Sequence, residues 1–176
     1  MGWTGDITVF ANTASYNMET RAFLGHFLKM VELEQEHLNG AVPFFAPFPK
    51  VADRDAQNPF LNSAGAAVWG DAATVLPMTL FRHFRDQGLL NSHLSLMMNW
   101  VDYIYRQDEE RGGKRLWDFG FQLGDWLALD LGIPGTVFGA TDSALIATIY
   151  YYYSASNTAK ALKLCNDSSA TFYSKL

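Results

Sequence analysis

The stretch Glu19–Gly40, ETRAFLGHFLKMVELEQEHLNG, decides the class of fold. Phe23, Leu24, Phe27, Leu28, Val31 and Leu38 recur at helical spacing and make one apolar stripe. Asn39-Gly40 then supplies the left-handed-tolerant pair that stops a helix. Upstream, Asp6 to about Tyr16 reads as a shorter helix with Ile7, Phe10 and Ala14 on one side. Downstream, Asp71–Arg85 reads as a third, with Val75, Leu76 and Leu80 inward and Pro77 predicting a kink or local break. Asn91 is a suitable cap for a fourth, buried through Leu94, Met97, Met98, Val101, Ile104 and Tyr105. Thr141-Asp142 caps a fifth that reaches about Leu164, and Ser168 or Ser169 begins a sixth. No segment alternates as a long strand; the Tyr150–Tyr153 run sits inside a helical pattern. The expected class is all-α, with helices packed as antiparallel pairs.

The connections differ in length. Those near Asn17, Gln87 and Asp167 are short, whereas Ala41–Gly70 and Arg111–Ala140 each run to roughly 30 residues, beyond the usual limit of about 12–15 for a structureless loop. The first contains Pro43, Pro47, Pro49 and Pro59, which break regular structure. In an up-and-down array both long loops fall on one face, together with the starts of the first, third and fifth helices. That face is expected to hold the site.

Composition narrows the function. With 176 residues, 49% hydrophobic and 18% charged, the chain is large enough for one domain with a real core. A net charge of −5 argues against a broad electrostatic grip on nucleic acid or anionic membrane. The single Cys165 forms no intrachain disulfide and no cysteine zinc site. No apolar run reaches the roughly 18 residues that span a bilayer, and no secretory leader is visible. Localisation stays open, with a slight lean to the cytoplasm. His26, His37, His83 and His93 lack metal-ligand spacing, and no metalloprotease, phosphate-loop or nucleophile-elbow motif occurs, so no metal or cofactor is expected.

Three aspartates open helices on the expected site face: Asp6, Asp71 and Asp142. Each could simply cap a helix. All five tryptophans have an aspartate within three positions. Trp100/Asp102 lies mid-helix and reads as packing, while Trp3/Asp6, Trp69/Asp71, Trp117/Asp118 and Trp126/Asp125 fall on the loop face. An indole offers a flat apolar platform and a carboxylate accepts hydrogen bonds from hydroxyls. Together they suit a sugar. Burial of the loops by these tryptophans is the competing explanation.

These residues also carry a resemblance. Gly2-Trp-Thr-Gly-Asp6, Trp69-Gly-Asp-Ala-Ala73, Trp100-Val-Asp-Tyr103, Phe121-Gln-Leu-Gly-Asp-Trp-Leu-Ala128 and Thr141-Asp142 with Leu145-Ile-Ala-Thr148 are collinear with the bacterial α-L-rhamnosidases, which the chain resembles over nearly its whole length. The resemblance implies an (α/α)6 barrel of six hairpins, of which residues 1–176 supply roughly half as a partial catalytic domain. It implies hydrolysis of terminal α-L-rhamnosides with inversion, by a protonated glutamic acid and a second carboxylate that activates water. In the family the acid lies in an Asp-Cys-Pro-x-Arg-x-Glu-Arg stretch running into the Gly-Trp-Thr-Gly-Asp motif, and the base lies in the second half of the barrel. Neither motif occurs between Met1 and Leu176, so no catalytic residue is expected here and the isolated chain is expected to be silent on rhamnosides.

By the same resemblance Trp3 and Asp6 match positions lining the rhamnose subsite, and Trp69 and Trp126 match pocket walls. Asp71 and Asp125, beside those tryptophans, complete the expected binding set. The expected partners are rhamnose-containing glycosides and the rest of the barrel. Two alternatives stay open: another helical-toroid glycosidase or lyase, and a non-catalytic carbohydrate-binding helical module.

Overall fold

The computed structural model describes residues 2–48, 60, 64–128 and 138–176. Met1, Pro49 and Pro59, and parts of both long connections, lie outside the described residues. Seven helices are described: α1 (Thr4–Asn17), α2 (Arg21–His37), α3 (Ala72–Phe84), α4 (Gln87–Ser92), α5 (Leu94–Glu110), α6 (Ser143–Leu164) and α7 (Ala170–Tyr173). Two short strands, β1 (Gly2–Trp3) and β2 (Phe45–Ala46), pair antiparallel with Gly2 opposite Ala46 and Trp3 opposite Phe45. The fold is all-α, as expected.

Helix α3 is the hub. Every residue from Ala72 to Leu80 is buried, and α1, α2, α4, α5 and α6 all pack against it. A helix apolar on all sides belongs inside a structure, not on its surface. Pro77 does not break it; α3 is continuous to Phe84. Leu24, Leu28 and Val31 of α2 join Leu76 and Leu80 of α3 and Met97, Trp100, Val101 and Ile104 of α5 in one core. Each fully buried side chain of this kind contributes roughly 1.5–3 kcal/mol by leaving water. The arrangement is two-layered: α1, α3 and α6 are neighbours on one side, and α2 and α5 back them.

Several expectations need correction. Phe23 is 69% exposed, because it stands a quarter-turn off the Leu24–Phe27–Leu28–Val31 stripe. Phe10 is 53% exposed; the residues α1 buries are Thr4, Gly5, Ala11 and Ala14. Asn91 caps nothing. It lies within the short helix α4, which Asp86 caps by accepting from Leu89 N at 2.9 Å, and His93 precedes α5. Trp117 is not on the loop face: it is buried and meets Trp100 edge-on with ring centroids 5.7 Å apart.

Candidate functional site

The start of α1 is anchored by the strand pair. Thr4 N donates to Phe44 O at 2.9 Å, and the buried Thr4 hydroxyl lies 3.0 Å from Pro43 O and 2.9 Å from Phe44 O. This holds Gly5 and Asp6 at the end of the molecule where the long connections meet. Gly5 is there because nothing larger fits: a Cβ at that position would stand 2.5 Å from the Trp69 ring. The Gly-Trp-Thr-Gly-Asp motif and the Trp-Gly-Asp-Ala-Ala motif are thus in direct contact across 64 residues of chain.

Between them opens a cavity of about 840 Å³. Gly5, Asp6, Val9 and Phe10 of α1 form one wall, Val68 and Trp69 the second, Gly124–Leu127 the third, and Ile146 and Tyr150 of α6 the fourth. Asp6 is exposed at the mouth of this cavity. It does not cap its helix, since Trp3 holds the cap position. Asp125 is half-buried, receives the Thr141 hydroxyl at 3.0 Å, and its carbonyl accepts from Gly139 N at 2.8 Å. Trp126 packs edge-on against Phe138 and Phe60. Behind Trp69 lies an apolar cluster of Phe44, Phe45 and Leu123.

Four of the six expected binding residues, Asp6, Trp69, Asp125 and Trp126, therefore converge. Trp3 is half-exposed against Phe45 and Phe60 and stands beside the cavity, outside its lining. Asp71 is a correction. It is wholly buried, and its carboxylate is occupied by Val68 N at 2.7 Å, Trp100 Nε1 at 3.0 Å and the Ser154 hydroxyl, so no oxygen is presented to the cavity. Burial pushes its carboxyl up to about 6, against the pull of those three donors. Tyr150 is also raised, first by burial and then by the Asp71 charge.

Phe10 and Tyr150 were missing from the expected set. Both were legible in principle. Phe10 follows Asp6 by one helical turn, and Tyr150 follows Asp142 by two, so each shares a helix face with an aspartate at the site end. No group of three or more His, Cys, Asp or Glu side chains converges as a metal site among the described residues.

Antiparallel helix pairs, with a cavity walled by tryptophan and carboxylate at the end where long loops gather, make this a helical-hairpin domain. Comparison with known proteins makes this specific. The chain matches, over residues 1–176, the family described as bacterial alpha-L-rhamnosidase 6 hairpin glycosidase domain, and it belongs to that family. It is similar to an alpha-L-rhamnosidase of Streptomyces avermitilis, at 34% identity covering 91% of this chain and 13% of that protein. It is also similar to one of an Alteromonas species, at 30% identity covering 93% and 16%. Among solved structures, the S. avermitilis α-L-rhamnosidase complexed with L-rhamnose superposes with a TM-score of 0.76 at 30% identity, over 98% of this chain and 14% of that one. The native enzyme of Aspergillus terreus gives 0.75 at 29%, over 98% and 19%. The chain thus spans a sixth or less of the length of the curated relatives it matches.

Proposed function

We propose that residues 1–176 form part of the catalytic domain of an inverting α-L-rhamnosidase and supply one wall of its sugar-binding site. The observation that carries this is the convergence of Asp6, Trp69, Asp125 and Trp126 on one cavity, brought from three separate stretches of sequence. Indole faces and the Phe10 ring suit the apolar C–H faces of a 6-deoxy sugar, and the carboxylates suit its hydroxyls. Trp3, at the cavity's edge, extends the aromatic wall. The similarity to a rhamnosidase complexed with L-rhamnose supports the same assignment.

Inverting hydrolysis needs a carboxylic acid at the leaving oxygen and a carboxylate base on the opposite face, about 6.5–9.5 Å apart. In this reading Asp6 and Asp125 bind and orient, and the acid and base come from the remainder of the barrel. Asp125 is tied to Thr141 and holds a fixed position; Asp6 is open to accept from a sugar hydroxyl.

Asp6→Asn tests this. Because Asp6 makes no cap bond and only its first-turn charge is lost, the change should shift the thermal midpoint of the chain little. L-rhamnose quenching of tryptophan fluorescence should need about tenfold more sugar, as expected for losing a charged hydrogen bond of about 1.4 kcal/mol. Unchanged quenching by Asp6→Asn, or equal quenching by D-glucose in the parent chain, would defeat the assignment.

A further inference from the structure

Asp71 lies under the cavity without reaching it, and what it holds there is specific. Its Oδ2 accepts the Val68 N–H at 2.7 Å. Its Oδ1 accepts the Trp100 indole N–H at 3.0 Å and the Ser154 hydroxyl, which is itself 2.6 Å from the Thr74 hydroxyl. One carboxylate therefore joins the turn before α3, the middle of α5 and the middle of α6.

The turn needs that hold. Val68 has φ of 71°, a left-handed conformation that a β-branched residue rarely adopts. Such a conformation persists only where the surroundings over-determine it. Gly70 presses the turn onto α5, where a Cβ would stand 2.1 Å from the Trp100 ring. Trp69, between these two, carries its indole into the cavity wall. Ser154 lies one turn along α6 from Tyr150, which lines the facing wall.

We propose that Asp71 is a positioning residue for the sugar-binding cavity: by clamping the Val68 amide it fixes where the Trp69 ring stands against Gly5. This rests on the reading of the cavity as a rhamnose site. The role is distinct from capping, because Asp71 occupies the cap position of α3 yet turns its carboxylate back to Val68 rather than to the first amides of the helix. It is also distinct from sugar contact, because the carboxylate is wholly buried.

Asp71→Asn separates the bonds. The amide oxygen can still accept from Trp100 and Ser154, while the amide NH2 meets the Val68 N–H donor to donor. Ser154→Ala is the comparison: it removes the α6 bond and leaves the Val68 clamp. Three quantities are measured on the full chain: the thermal midpoint, L-rhamnose affinity by tryptophan fluorescence, and hydrogen–deuterium exchange of the peptide spanning 66–70. Asp71→Asn should weaken L-rhamnose binding about tenfold or more and speed exchange at 66–70. Ser154→Ala should lower the midpoint, yet leave affinity within about twofold and exchange at 66–70 slow. Affinity losses that simply follow the midpoint in both variants would reduce Asp71 to a structural residue and overturn the proposal. So would unchanged exchange in Asp71→Asn.

A parent chain that binds no L-rhamnose would refute the functional reading, and the exchange comparison would still decide the clamp. If Asp71→Asn does not fold, the parent chain supplies the test. Protonating the carboxylate removes the charge that strengthens its bond to the Val68 amide. Exchange at 66–70, corrected for its intrinsic pH dependence, should therefore be faster at a mildly acidic pH where the carbon-13 shift of the Asp71 carboxyl reports it protonated than at a pH where the same shift reports it ionised. Tyr150, the titratable side chain facing Asp71, is raised above its ordinary value and stays protonated across that range. Equal protection at both pH values would overturn the clamp.

Discussion

The Trp100 indole is fully buried, stacked on Tyr103 at 5.7 Å and bonded to the Asp71 carboxylate, whereas Trp126 is half-buried on a cavity wall. Trp100→Ala should cost about 3–5 kcal/mol as a buried aromatic deletion, and the donor lost to the buried Asp71 carboxylate places it toward the upper end. Trp126→Ala should cost less stability and more L-rhamnose affinity. Urea unfolding and fluorescence titration of the two variants check the ordering; the reverse order would mean that the faces are misassigned. Both residues look alike in sequence, each beside an aspartate. Trp100 is legible as core because it falls on the apolar stripe of a long helix. Trp117 was not, because it sits in a glycine-rich connection that carries no periodicity from which to read a face.

The helix starts make the same point with aspartate. Of Asp6, Asp71 and Asp142, Asp142 alone caps its helix, accepting from Ala144 N at 2.8 Å and Leu145 N at 3.0 Å. Asp6 is exposed at the cavity and Asp71 is turned to Val68. Asp142→Ala should therefore lower unfolding stability by about 1 kcal/mol, the usual value of a lost cap. The same change at Asp6 should cost less, because only a first-turn charge against the helix dipole is lost and no cap bond. Guanidinium denaturation of the pair measures the difference directly. Cap preference is a local rule and identifies which residues suit a helix start. It does not say whether the carboxylate turns to its own helix or away from it.

Across the whole molecule, two apolar stripes stand uncovered: Val9, Phe10 and Tyr16 on α1, and Leu145, Ile149 and Tyr152 on α6, each at least 53% exposed. Both belong to the layer of α1, α3 and α6, with α3 buried between its neighbours. Contiguous exposed apolar area of this kind favours association. The purified chain should sediment as a concentration-dependent mixture above the mass of a monomer. Replacing Val9, Leu145 and Ile149 with serine should shift it toward monomer without loss of helical circular dichroism. A parent chain that stays monomeric across the micromolar range would contradict this.

Helical spacing, cap residues, proline-rich breaks and the alternation of short and long connections were enough to read an all-α chain of antiparallel pairs. These are local properties, written in residues a few positions apart. The Gly-Trp-Thr-Gly-Asp and Trp-Gly-Asp-Ala-Ala motifs were also legible as candidates, because indole and carboxylate side by side suit a sugar. Tertiary structure alone decided which of them meet. Gly5 touches Trp69 because the strand pair of Gly2–Trp3 with Phe45–Ala46 sets the start of α1, and Asp71 is withdrawn because α5 and α6 close over it with Trp100 and Ser154. Whether a carboxylate serves a ligand or the fold depends on which donors surround it, and those donors come from elements dozens of residues away.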